Sequence, residues 1–191
     1  NTLIGFVSEE ELEDSFPLDF NNEKGKILEE MKLISDMYKR FKESQLESPG
    51  LESTSDSKEA KHSINTKLKE INKKLNELLS KAFGVDPGKE RKYEGWLASH
   101  QPFHWLAEFY EIVSEKNGFN IILGNPPYIE YKKVKNTYNV INYISEKCGN
   151  LYGFVFERSI SLSNEKSFIG MIIPMSSICT DRSSDIQNFF K

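Results

Sequence analysis

Residues 125–128 read Asn-Pro-Pro-Tyr and follow the apolar stretch Phe119-Asn120-Ile121-Ile122-Leu123-Gly124. Asn125 carries a side-chain carbonyl that accepts and an amide that donates, and the proline after it biases its backbone to an extended conformation. Pro126 and Pro127 fix φ and lack N–H groups, so their carbonyls are free to accept from a ligand. Tyr128 adds a flat face with a polar tip. A rigid set of acceptors beside an aromatic platform suits a planar group bearing an exocyclic NH₂. Two acceptors take its hydrogens, the ring stacks on the tyrosine, and the nitrogen lone pair stays available for attack. Catalysis of that kind works by positioning and electrostatics, without a covalent intermediate. The same four residues also suit a proline-stiffened turn that merely ends a strand.

The surrounding elements favour the chemical reading. Over residues 84–191 the pattern is helix (from Pro102 or Phe103 to Glu115, closed by Asn117-Gly118), the strand 119–124, a helix in "LYGFVFERSISL", a strand in "SFIGMIIP", and a helix opening at Asp181 or Ser183. Fully apolar strands alternating with helices predict an α/β fold with a parallel sheet covered on both faces. In such sheets ligands sit beyond the carboxyl ends of the strands, where Asn125 lies.

Residues 21–83 differ. Ile27, Met31, Ile34, Tyr38 and Phe41 recur at spacings of 4 and 3, as do Ile64, Leu68, Ile71, Leu75, Leu78 and Ala82. Each run predicts a helix with one apolar seam. The Ser-rich stretch around Pro49-Gly50 predicts the turn of an antiparallel helical hairpin. Its lysines (Lys67, Lys69, Lys73, Lys74 and Lys81) are either a solvated face balanced by Glu59, Glu70 and Glu77 or a DNA-contacting arm. Residues 1–20, acidic and broken by Pro17, read as a connecting segment with at most a helical turn. The expected division is therefore 1–20, 21–83 and 84–191.

A net charge of -4 and a pI near 5.6 give no global basic footprint, which leaves room for a local one. Lys132, Lys133 and Lys135 follow the motif closely and either hold phosphates or form a solvated loop. Cys148 and Cys179 fit neither a disulfide framework nor a zinc pattern, and no metal site is expected. Without a membrane-span run or signal-peptide core at its start, the chain is expected to be cytoplasmic, with no membrane partner. His62, His100 and His104 lack metal spacing, and His104 reads as a hydrogen-bonded structural residue.

"FNIILGNPPY" resembles the catalytic motif of S-adenosylmethionine-dependent amino-methyltransferases. More narrowly, the chain is similar to the adenine-N6 DNA methyltransferases of type IIG restriction–modification proteins. "QPFHWLAEFYEIVSEKNG" before the motif, "NLYGFVFERSISLSNEKSFIGMIIP" after it, "NTLIGF" at residues 1–6 and the helical insertion all enter that likeness. The resemblance implies part of a Rossmann-like methyltransferase sheet with an inserted hairpin, acting on double-stranded DNA. It implies that Asn125 and the Pro126 carbonyl hold the amino group of a flipped adenine, with Tyr128 stacked on its ring. It also implies S-adenosylmethionine as cofactor, yet the Gly-x-Gly turn expected for that cofactor is absent. The chain then reads as a catalytic segment that needs the remainder of its parent polypeptide and is inactive alone. The same motif serves a protein glutamine amide equally well, so a glutamine-N5 methyltransferase is an open alternative. A non-catalytic module binding through the helical hairpin is another.

Overall fold

Two long helices form one side of the molecule, α2 (Glu23–Glu47) and α3 (Ser55–Ala82). The computed structural model describes residues 1–15, 22–47 and 55–189. The proline-broken tail at 16–21 and the Ser-rich turn at 48–54 lie outside the described residues. The apolar seams face inward: Ile27, Met31 and Ile34 of α2 are buried with Ile64, Ile71, Leu75 and Leu78 of α3, while Tyr38 is 55% exposed. Lys74 meets Glu30 at 2.7 Å, and farther along Met37 and Phe41 border the same groove as Ala60 and Ile64. The two helices therefore run in opposite directions. Removing one large side chain from this seam would cost about 2–5 kcal/mol.

The segment 1–7 is part of the core. Leu3, Ile4, Phe6 and Val7 are each under 10% exposed, and short helix α1 (Glu9–Asp14) follows, capped by the Ser8 hydroxyl accepting from Glu11 N–H. This strap, which turns over Asn1–Ile4, has no apolar period, so it reads from sequence as a loose connection. Its order comes from partners distant in the chain. Phe103 N–H donates to Ile4 O at 2.7 Å and Leu106 N–H to Phe6 O at 3.1 Å. Gly5 passes so close to residue 103 that a Cβ would lie 2.1 Å from Phe103 O, and its φ of +141° suits glycine. Gly5→Ala is expected to cost at least about 2 kcal/mol. A melting temperature equal to wild type would show that the strap does not need this close approach.

The strap also reaches the helix beneath the sheet. Arg158, on α7 (Leu151–Leu162), donates from Nε to Tyr143 Oη at 2.7 Å and from Nη2 to Leu3 O at 3.1 Å. Tyr143 itself donates to Leu3 O at 2.8 Å, and burial pushes its phenol up to about 12. These bonds tie residues 1–7 to α7, and Glu11 Oε2, 3.8 Å from Arg158 Nη1, adds a carboxylate to the same guanidinium.

Between α3 and the sheet lie α4 (Glu90–His100), the short α5 (Trp105–Glu108) and a π-helical turn, Glu111–Glu115. The single helix expected over 102–115 is thus broken at Phe109, whose φ of -131° and ψ of 39° leave the helical region. The wide turn brings Tyr110 and Ser114 to the same Glu9 carboxylate. Phe103, Trp105, Phe109 and Phe119 form one aromatic cluster, with Phe109 and Phe119 centroids 5.5 Å apart.

Two parallel strands complete the core of the α/β arrangement: β1 (Phe119–Gly124) and β2 (Ser163–Met171). β2 starts directly after α7, earlier than apolarity predicts, because Ser163 pairs with Phe119. Regular pairing is confined to Ile121–Gly124 against Phe168–Met171, with the polar stretch between out of register. Among the described residues one sheet face is bare. Ile121, Leu123, Phe168 and Ile172 are 63–78% exposed. A parallel sheet covered on both faces is therefore not what these residues build by themselves. Past the sheet come two short helices, α8 (Ser176–Cys179) and α9 (Ser184–Asn188).

Candidate active site

The carboxyl end of β1 delivers residues 125–128 into a loop pinned on both sides. On the near side, Ile172 N–H donates to Gly124 O at 3.0 Å, extending the ladder one step past β2. On the far side, Leu151 N–H donates to Ile129 O and Tyr131 N–H to Gly149 O, both at 2.9 Å. Glu130 and Asn150 form an antiparallel bridge there. The motif thus spans the gap between the end of β1 and the N-terminus of α7, and proline supplies stiffness where no ladder bonds run.

Within this loop Pro126 is buried, while Asn125, Pro127 and Tyr128 are exposed. Burial of Pro126 seats the loop. Exposure leaves the Asn125 amide and the half-exposed Tyr128 ring accessible to a ligand. Tyr128 Oη donates to Ile172 O at 2.7 Å, and its ring stands perpendicular to that of Tyr152, 6.3 Å away. The motif therefore draws on the ends of both strands and on α7. Tyr152 and the Ile172 carbonyl carry no motif of their own and escape a sequence reading; their only signal is the helix start at 151 and the strand end near 172.

The three lysines fall on and after α6 (Tyr131–Val134). Lys132 and Lys133 lie 3.2 Å and 3.9 Å from Glu130, and Lys135 lies 3.1 Å from Glu146. Lys135 also sits over the Tyr131 ring at 5.3 Å, and the Glu146 hydrogen bond raises its pKa. All are exposed, so these pairs are worth little and exchange readily. Lys132 and Lys135 border an open cleft of about 750 Å³ beside the motif, which Lys147, Arg182, Glu130, Glu146 and Asp181 also line. Lys147 and Arg182 are additional cations that a motif-centred sequence reading misses, because they are distant in the chain.

Two histidines near the strap have structural surroundings. Phe6 N–H donates to His104 Nδ1 at 3.1 Å, which places the ring proton on Nε2, facing Asn76 Oδ1 at 3.0 Å. Burial pushes the imidazole pKa down to about 3. His100 packs on Trp96 with its Nε2 3.0 Å from Asn139 Oδ1. Cys148 and Cys179 are both free thiols. Among the described residues no group of three or more His, Cys, Asp or Glu could hold a metal, and no helix is long and apolar enough to cross a membrane.

A nucleoside-bearing methyl donor fits these residues poorly. Neither turn after a strand, Asn125–Tyr128 or Ile172–Pro174, is glycine-rich. What the loop can do is hold a planar amino-bearing group against fixed acceptors. No curated protein and no solved structure matches the chain. A family model described as Eco57I restriction-modification methylase matches residues 16–191. By that match, which takes in both strands, the motif loop and all three lysines, the chain belongs to the Eco57I restriction-modification methylase family, and it is a restriction–modification methyltransferase sequence.

Proposed function

We propose that this chain is the catalytic segment of a type IIG adenine-N6 DNA methyltransferase, which moves a methyl group from S-adenosylmethionine to the amino group of a flipped adenine. The observation that carries this reading is the pinned Asn125–Tyr128 loop at the carboxyl end of β1, its polar and aromatic groups open to solvent. Asn125 Oδ1 and the Pro126 carbonyl accept the two amino hydrogens, Pro127 stiffens the turn, and Tyr128 stacks on the base. Flipping is required because N6 is out of reach of an in-line donor inside a duplex, and extrusion costs a few kcal/mol. Lys132, Lys133 and Lys135 exchange their carboxylate partners for backbone phosphates, which releases counterions and makes binding salt-dependent.

The methyl donor is held elsewhere in the parent polypeptide. Two features support this: the chain lacks a glycine-rich turn, and the apolar sheet face at Ile121, Leu123, Phe168 and Ile172 is uncovered. On this reading residues 21–83 are a helical hairpin inserted into a Rossmann-like domain formed by 84–191 and that remainder, and of the connecting segment 1–20 the first seven residues pack into that domain. The setting is cytoplasmic.

Labelling tests the substrate. The parent protein is incubated with tritium-labelled S-adenosylmethionine, unmethylated genomic DNA and a mixture of proteins, and the products are hydrolysed. Label in N6-methyladenine is the expected result. Label in N5-methylglutamine would establish the glutamine alternative, and label in another DNA base would sink the adenine assignment.

A further inference from the structure

A tyrosine side chain has two soft torsions. Its hydroxyl lies on the axis through Cβ and Cγ. The 2.7 Å bond from Tyr128 Oη to the Ile172 carbonyl therefore fixes where that axis points. It leaves rotation of the ring about the axis much less restricted, and that rotation decides which way the flat face looks. The second restraint is the ring of Tyr152. It stands at 88° to the Tyr128 ring with centroids 6.3 Å apart, within the edge-to-face range.

Tyr152 is itself well fixed. It lies in the first turn of α7, is 6% exposed and packs with Phe156 and Ile186. Its polar edge faces the cleft beside the motif, which Cys148, Ser176 and Ser183 also line. Tyr128, by contrast, is 51% exposed. One ring is thus a buried wall and the other an open platform leaning on it.

We propose that Tyr152 is a positioning residue for methyl transfer: its ring sets the rotation of the Tyr128 ring, so that an incoming planar base meets a face already turned towards it. The proposal rests on the reading of Tyr128 as the stacking platform. A ring free to rotate must lose that freedom when the base stacks, and it allows the amino group to tilt away from Asn125. A preset ring avoids both losses. The benefit appears in the rate of the bound complex more than in DNA affinity, which phosphate contacts dominate.

The test uses the parent enzyme on unmethylated genomic DNA, which requires no knowledge of the recognition sequence. Tyr152→Leu keeps apolar volume and removes the ring. It is expected to lower kcat roughly tenfold while leaving KM for DNA within about twofold. Tyr152→Phe keeps the ring and is expected to restore most of kcat. Phe154→Leu, a fully buried position on the same helix, controls for general loosening and should leave kcat within about twofold. Wild-type kcat in Tyr152→Leu, or equal losses in Tyr152→Leu and Phe154→Leu, would overturn the proposal. Asn125→Ala separates the layers. If it abolishes transfer while Tyr152→Leu does not, only the ring-setting role fails; if transfer survives Asn125→Ala, the underlying reading fails too. Should Tyr152→Leu not fold, 3-fluorotyrosine at position 128 of the otherwise unaltered enzyme gives the answer. A fluorine resonance displaced from its unfolded-state position is expected, and one at the unfolded position would remove the clamp.

Discussion

Asn125→Ala is expected to lower methyl transfer by roughly 10²–10³-fold, the range seen when one preorganised hydrogen-bonding group is removed from a reacting centre. Asn125 is exposed at the end of β1, and the loop around it is held by backbone bonds at Gly124, Ile129 and Tyr131. None of those bonds uses the Asn125 side chain, so the alanine variant should fold and melt like wild type. That separation makes the experiment decisive for the motif. An amino group that loses one of its two acceptors is left with a freely oriented hydrogen, and its nitrogen lone pair is no longer aimed at the donor. Asn125→Asp keeps an acceptor oxygen at the same place and should retain more activity than Asn125→Ala. Activity is read as tritium transferred to DNA by the parent enzyme, beside a circular-dichroism melt of each variant. Wild-type transfer by Asn125→Ala would remove the methyl-transfer role proposed for the loop and return the helical surface of α2 and α3 to consideration.

The loop was legible in the sequence because its chemistry is local. Two prolines, an amide and an aromatic after an apolar run predict a stiff turn at a strand end, and the loop follows β1 directly. The seams of α2 and α3 were legible for a similar reason: a helix repeats its buried face every three or four residues, and Met31, Ile34, Ile71 and Leu75 follow that period into the core. β2 was only half legible. Its apolar end is a recognisable strand, but Ser163 joins through pairing with Phe119, a partner 44 residues earlier that no local pattern announces. The helix expected over 102–115 failed at Phe109, where aromatic packing and the Glu9 carboxylate outweigh helical continuity. The order of the strap at residues 1–7 is not legible in the sequence, because a segment bonded to residues 103–106 and 158 carries no periodicity. The same limit applies to the site. The four motif residues sit together in the chain, whereas Ile172 and Tyr152, which touch Tyr128, come from other elements.

His104 carries the largest pH effect expected for the fold. Its ring is 1% exposed, stacked on Phe6 at 5.3 Å, and accepts at Nδ1 while donating from Nε2. Protonation would place a second donor opposite the Phe6 N–H, with no carboxylate among these bonded partners to compensate. The folded pKa is accordingly about 3, against about 6.5 in an unfolded chain. Because the folded value is depressed, the unfolded state takes up the proton first. The stabilisation is complete above about pH 6.5 and is lost as pH falls towards 3, at up to about 1.4 kcal/mol per unit. Between pH 7.5 and 5 most carboxylates remain ionised, which isolates the histidine. Urea midpoints are therefore expected to fall through that range. His104→Gln cannot titrate; it should be less stable at pH 7.5, since two buried bonds are disturbed, and its midpoint should vary less with pH. His62 and His100 are present in both proteins, so the difference between the two profiles belongs to His104. Parallel profiles would show that the strap is held without a neutral imidazole. A flattened profile would identify His104 as the bond by which α3, the strap and α5 hold together at neutral pH, beneath the aromatic cluster on which the amino end of β1 rests.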